Sequence, residues 1–240
     1  MKKSCFYALW ITALFYMSCD FNAETVHGNG NRKSEIRHIG NTTKINLVGG
    51  MDVFVEEGAP AIKVEGDENI LQFIETEVNN DWLEIKTRDH INIRSSNPVK
   101  VYITTPDIVA LKVNGSGNII CNNRFASRNN ISFSITGSGN ITANVNSPAV
   151  NASITGSGNM YIKGETRNVD IRITGSGNYD SPGLKAENAF VKISGSGDAN
   201  LFADVNLKAS IAGSGDIKYY GKAVVNKSIA GSGSVVKVQE

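Results

Sequence analysis

The sequence is poor in the residues that usually carry covalent or metal-centred chemistry. Its 240 residues include three cysteines and three histidines. Cys5 lies in an apolar leader and Cys19 at the end of that leader, so Cys121 stands alone in the body and no intramolecular disulfide is expected. Cys121 reads as a small buried hydrophobe. His27, His38 and His90 are scattered, with no cysteine or carboxylate at ligand spacing, so no metal or cofactor is expected. An excess of one charge is missing too. Lys and Arg number 24 against 23 Asp and Glu, which leaves no global field to recruit nucleic acid. A mild asymmetry remains, with residues 19–113 net acidic and residues 114–240 net basic, as solvated surfaces commonly are.

A long hydrophobic run is also absent. The apolar stretch Phe6–Met17 follows the basic start Met1-Lys2-Lys3 and is short for a membrane span, but it has the proportions of an export signal. It ends at Tyr16-Met17-Ser18-Cys19, which resembles a bacterial lipobox with Tyr at the usual aliphatic position. That resemblance implies a signal over residues 1–18, with Cys19 as the acylated first residue of the mature chain. An ordinary cleaved signal and an uncleaved anchor helix are the alternatives. Residues 19–35, polar and glycine-containing, are expected to be a flexible tether, and 36–240 the folded body.

What the body has in abundance is one motif. Gly-Ser-Gly begins at residues 115, 137, 156, 175, 195, 213 and 231, at steps of 22, 19, 19, 20, 18 and 18. Two residues before each copy stand Val113, Ile135, Ile154, Ile173, Ile193, Ile211 and Ile229. Apolar residues recur four and six before it, from Val109 and Leu111 onward, until Lys227 interrupts the series. Four residues after the first glycine come Ile119, Ile141, Met160, Tyr179, Ala199, Ile217 and Val235. Alternation with period two, bounded by glycine, marks half-buried strands. A unit of about twenty residues cannot bury its apolar face alone, but stacked units can. The expected fold is therefore all-β: a parallel β-helix of about seven coils over residues 106–240. Uneven steps favour a right-handed coil over a left-handed hexapeptide helix, and the period is about half that of a propeller blade.

The corner residues Asn118, Asn140, Asn159, Asn178, Asp198, Asp216 and Ser234 follow each copy. Asn tolerates left-handed backbone, and its amide can bond the Asn of the next coil. A calcium-binding roll would want a carboxylate in every repeat, and here only Asp198 and Asp216 carry charge. A nucleotide loop would lead into a helix, whereas strand alternation resumes after each corner. Before the repeats, strands are expected at Lys44–Val48, Met51–Glu56, Ala61–Glu65, Phe73–Val78, Trp82–Thr87 and Val99–Thr104, with a helical turn at Asp67–Leu71. Residues 36–105 thus form either irregular coils or a capping sheet, and Lys227 and Lys237 blunt the opposite edge.

The segments Gly49-Gly50-Met51-Asp52-Val53-Phe54-Val55, Val64-Glu65-Gly66-Asp67-Glu68-Asn69-Ile70 and Trp82-Leu83-Glu84-Ile85, followed by repeated Gly-Ser-Gly-Asn-Ile, resemble a bacterial family. It is described as putative auto-transporter adhesin, head GIN domain, and the resemblance spans about residues 36–236. It implies an exported β-helical protein, frequently a lipoprotein, and brings no catalytic residues. The leading expectation is a lipid-anchored envelope protein, outer-membrane by location, serving binding, adhesion or scaffolding. Its partner would be a glycan or an envelope protein, with no nucleic acid. The alternative is a polysaccharide-processing β-helix enzyme, whose site would lie among Ser153, Asp170, Arg172, Lys192 and Ser210 on an outer face.

Overall fold

The computed structural model describes residues 23–38 and 40–239. The leader and Cys19 lie outside the described residues. The first strands are β1 (Glu24–His27), β2 (Arg32–Arg37), β3 (Lys44–Gly49), β4 (Asp52–Glu57) and β5 (Ala61–Asp67). A single helical turn, α1 (Glu68–Leu71), leads to β6 (Ile74–Asn79), β7 (Trp82–Thr87), β8 (Ile91–Arg94) and β9 (Lys100–Thr105). From Ala110 onward the chain is parallel β-helix.

Each coil contributes one strand before its corner and one after. The first glycines of the corners are paired rung to rung, Gly115 on Gly137, Gly137 on Gly156, and onward to Gly213 on Gly231. Below Gly115 lies Gly49, so Gly49-Gly50-Met51-Asp52 is an eighth corner beneath the seven repeats. The isoleucine column is the core. Ile135, Ile154, Ile173, Ile193 and Ile211 are each about 1% exposed or less. Behind the corner, Ile119, Ile141, Met160, Tyr179, Ala199 and Ile217 form the facing column. One inward position departs from the expected alternation. Val109 is half-buried, and Ile108 and Ala110 take its place in the core, because Val109 and Ala110 both hydrogen-bond to the Thr43 carbonyl as the chain enters the first coil. Cys121 is buried in the same interior, where burial pushes its thiol up to about 12. It is a packing residue.

The amino-terminal third is both coil and cap. Strands β7 and β9 run parallel beneath β3 and β4, extending the two faces by one rung. Then the direction reverses: β6 pairs antiparallel with β7, β5 with β9, and β2 with β5. The hairpin between β6 and β7 turns at Asn80 and Asp81, both with positive φ (50° and 67°), as a tight two-residue turn requires. α1 drives Ile70 and Leu71, both fully buried, into the end of the stack. Apolar residues that would face water at an open helix end are thereby covered.

The expected tether at 19–35 is corrected for its described part. β1 pairs in parallel with β8, and β2 lines the edge of β5. The Asn29 backbone N–H donates to Asn69 Oδ1 at 2.9 Å, and Asn69 Nδ2 donates to the His27 carbonyl at 2.8 Å. The segment is polar because it is held by backbone bonds at an edge, with only Val26 packed on the core. At the far end the strands Val224–Gly231 and Val235–Lys237 form the final rung, with none above it among the described residues. Lys227 stands over Ala209, and Lys237 over Tyr219, at positions that are inward-facing in lower coils. Charges at both positions blunt an otherwise bare edge.

One carboxylate in the cap, that of Asp67, is wholly buried, with no cation paired to it among the described residues. Ser95 Oγ donates to Asp67 Oδ2 at 2.6 Å, the Ser96 N–H donates to the same oxygen at 3.2 Å, and Asn97 Nδ2 donates to Oδ1 at 2.5 Å. The Ser95 hydroxyl and then the Asn97 amide hold this carboxyl below its usual range. Gly28 passes so close that a β-carbon there would meet Asp67 Oδ2 at 1.7 Å. The folded pKa thus lies below the unfolded value of about 3.9. The stabilisation is complete above pH about 4 and is lost as pH falls through the folded pKa. Melting temperatures measured from pH 6 to pH 2 should fall more steeply for the native protein than for Asp67→Asn. Parallel curves would show that the carboxylate is not charged in this site.

Candidate functional site

The outer surface of the coils is ordered by hydrogen bonds between side chains of successive rungs. At the corners Asn118 Nδ2 donates to Asp52 Oδ1 at 2.7 Å, Asn140 to Asn118 at 2.8 Å, and Asn159 to Asn140 and Asn178 to Asn159 at 2.9 Å. Each amide gives one N–H to the rung below and accepts from the rung above, and the amides themselves add no charge to the column. Above Asn178 the ladder changes character. Asp198 and Asp216 have no N–H to give, and backbone donors take over. The Asp198 N–H reaches Asn178 Oδ1 at 3.3 Å, the Asp216 N–H reaches Asp198 Oδ1 at 2.7 Å, and the Ser234 N–H and hydroxyl both reach Asp216 Oδ1 at 2.8 Å. Each aspartate therefore spends one oxygen on the ladder. A second, shorter ladder joins Asn168, Asn188 and Asn206 on another side of the coil.

The residues weighed for polysaccharide processing do share a face. Ser153, Arg172, Lys192 and Ser210 form one column across rungs, with Asp170, Phe190 and Lys208 in the next. Several of them contact one another. Arg172 donates to Asp170 Oδ2 at 2.7 Å, and its guanidinium lies 5.8 Å from the Phe190 ring centre, with the Lys208 ammonium at 5.7 Å from the same ring. The rung neighbours of Asp170 are Asn151 and Phe190. A glycosidase pair needs two carboxyls within about 10 Å flanking one bond, and Asp170 has an amide and a phenyl ring beside it instead. This is a cationic face around an aromatic ring.

A concavity of about 340 Å³ lies beside Asp170, Phe190 and Lys208, and two larger ones lie elsewhere on the described surface. A trough of about 980 Å³ follows the return segments, lined among others by Arg128, Glu165, Arg167, Glu187 and Phe202. Within it Arg167 and Glu187 lie 4.0 Å apart, and the Lys185 ammonium stands 4.0 Å over the Phe202 ring. A groove of about 440 Å³ runs beside the upper corners between two columns, Asn159, Asn178, Asp198 and Asp216 on one side and Tyr161, Asp180, Asn200 and Lys218 on the other. Among the described residues no three His, Cys, Asp or Glu side chains come together as a ligand set for a metal ion. The corner ladder was legible as seven residues spaced by the repeat. Its lowest rung, Asp52, was not, because its corner keeps only the first glycine of the Gly-Ser-Gly pattern.

The profile of a family described as putative auto-transporter adhesin, head GIN domain, matches residues 41–223. Among solved structures, a putative lipid binding protein from Parabacteroides distasonis is 26% identical, with a TM-score of 0.78 over 90% of this chain and 100% of that one. A putative adhesin from the same species is 25% identical, with a TM-score of 0.72 over 90% of this chain and 100% of that one. A putative adhesin from Bacteroides fragilis, at 20% identity, shares the fold with a TM-score of 0.84 over 89% of this chain and 100% of that one. No curated protein matches the chain.

Proposed function

The chain belongs to the putative auto-transporter adhesin, head GIN domain family, and from that premise we propose that it is a non-catalytic binding protein of the cell envelope. Export is assigned to the signal at residues 1–18, and attachment to lipid on Cys19, as an outer-membrane lipoprotein. The observation that supports binding is the outer surface itself. Side-chain ladders fix its polar groups across many rungs, so a ligand would meet a pre-organised, repetitive array and pay little ordering entropy on the protein side. Relatives are called adhesins or, in one case, a lipid binding protein. The grooves of this chain carry polar and charged walls, which suits a hydroxyl-rich or headgroup-like partner better than an acyl chain.

Two measurements test the proposal. Cys19→Ala should move the protein from the membrane pellet to the soluble fraction, and persistence in the pellet with the leader attached would overturn the lipid anchor. Incubation with the polysaccharides it captures on a glycan array should release no new reducing ends or unsaturated products. Turnover would replace the binding function with the enzymatic one.

A further inference from the structure

The geometry points to a subsite for a neutral, hydroxyl-rich saccharide in the groove beside the upper corner ladder, with Tyr161 as its platform. This rests on the binding function proposed above and narrows it to one place and one ligand class.

On the ladder side, Asn159 and Asn178 each give one amide N–H to the rung below and keep the second. Asp198 and Asp216 each use Oδ1 in the ladder, which leaves Oδ2 as an acceptor. Across the groove, Asn200 Nδ2 donates to Asp180 Oδ1 at 2.9 Å, so that Asp180 also keeps a second oxygen. The Asn200 carbonyl oxygen is shielded from solvent and has no hydrogen-bond partner in the protein. A buried carbonyl without a donor is uncommon in folded proteins and calls for a partner from outside. The groove therefore offers several open acceptors, with the second amide N–H of Asn159, Asn178 and Asn200, the Lys218 ammonium and the Tyr161 hydroxyl as its donors. A matching ligand has to bring several hydroxyl donors close together.

The other half of the match is apolar. Tyr161 is 41% exposed at the groove margin, a large aromatic ring held on a rigid strand whose rung neighbour below is Thr142. The negative face of such a ring attracts polarised C–H groups, and the axial face of a pyranose presents a row of them. Pre-organised hydroxyl acceptors beside an aromatic face are the complement of a sugar ring. Successive rungs are about 4.8 Å apart, close to the length of one pyranose residue, so the columns repeat in step with a short oligosaccharide along the helix axis. Three carboxylates against one ammonium in the groove disfavour uronic or sialic acids by like-charge repulsion. An acidic saccharide would be directed to the cationic face around Phe190.

The test is calorimetric titration of the purified protein with mannohexaose, cellohexaose, N-acetylchitohexaose and hexagalacturonate, with and without chelator. At least one neutral hexamer should bind, in chelator as in buffer. Tyr161→Ala should weaken that binding at least tenfold. Asp180→Asn, which keeps the oxygen that holds Asn200, should weaken it several-fold, and Arg172→Ala should leave it unchanged. Melting temperatures of all three variants should stay near that of the parent, so a loss of binding is not a loss of fold. The subsite falls if no neutral hexamer binds, if Tyr161→Ala binds as well as the parent, or if chelator abolishes binding. Capture of hexagalacturonate and of no neutral hexamer, lost in Phe190→Ala but kept in Tyr161→Ala, would overturn the subsite and leave the binding function standing. Cleavage of any hexamer would overturn the function itself.

Discussion

Gly175→Ala should destabilise the protein by about 2–6 kcal/mol, and Gly49→Ala by only about 1–3 kcal/mol, although both glycines occupy the same corner position. Both have positive φ, +114° at Gly175 and +111° at Gly49, where an L side chain is strained. Strain alone accounts for the smaller figure. The difference comes from stacking. A β-carbon at Gly175 would stand 2.5 Å from the Gly156 carbonyl oxygen in the rung below, whereas at Gly49 it would meet nothing within 4 Å. The clash at Gly175 is with backbone that is itself locked into two neighbouring rungs, and no rotamer change relieves it. Urea unfolding of the two variants reads the difference directly. Equal losses would mean that backbone conformation alone selects glycine, and that the corners stack more loosely than the structure shows.

The same reasoning explains which parts of this fold could be read from the sequence. The Gly-Ser-Gly period was visible because one steric demand recurs at each rung: no side chain fits between stacked corners. The isoleucine columns were visible for a related reason, since each rung buries the one beneath it and alternation has to persist in phase. Where a residue answers to something other than the rung below, the pattern fades. Asp52 takes the lowest place in the corner ladder from a Gly-Gly-Met-Asp sequence, because the rung beneath it is β9, which has no corner to stack upon. β1 and the start of β2 are edge strands held mainly by backbone bonds, so their polar sequence resembled a tether. Asp67 is charged and buried because Ser95, Ser96 and Asn97 return to it from about thirty residues away. The groove was least legible of all. Tyr161, Asp180, Asn200 and Lys218 have no common chemistry along the chain, and only rung pairing sets them side by side.

Ile173→Ala should cost about 2–5 kcal/mol, the range for emptying a close-packed site of a large aliphatic side chain. Ile173 is 1% exposed, with Ile154 below and Ile193 above it in register. Neither neighbour can collapse into the gap, because each is pinned by hydrogen bonds along its own strand and by the rung beyond. The cost should therefore lie toward the upper part of the range. Two controls fix the interpretation. Ile229 belongs to the same column but sits on the last rung, 38% exposed, and Ile229→Ala should cost about 1 kcal/mol or less because water already reaches it. Arg172 neighbours Ile173 in sequence but points outward, and its ion pair with Asp170 is exposed, so Arg172→Ala should cost within about 1 kcal/mol. Chemical denaturation of the three variants gives the comparison. Similar losses at Ile173 and Arg172 would mean that the inward and outward columns are exchanged. Similar losses at Ile173 and Ile229 would mean that the final coil is covered by something in solution, since a bare rung cannot be worth as much as one buried on both sides.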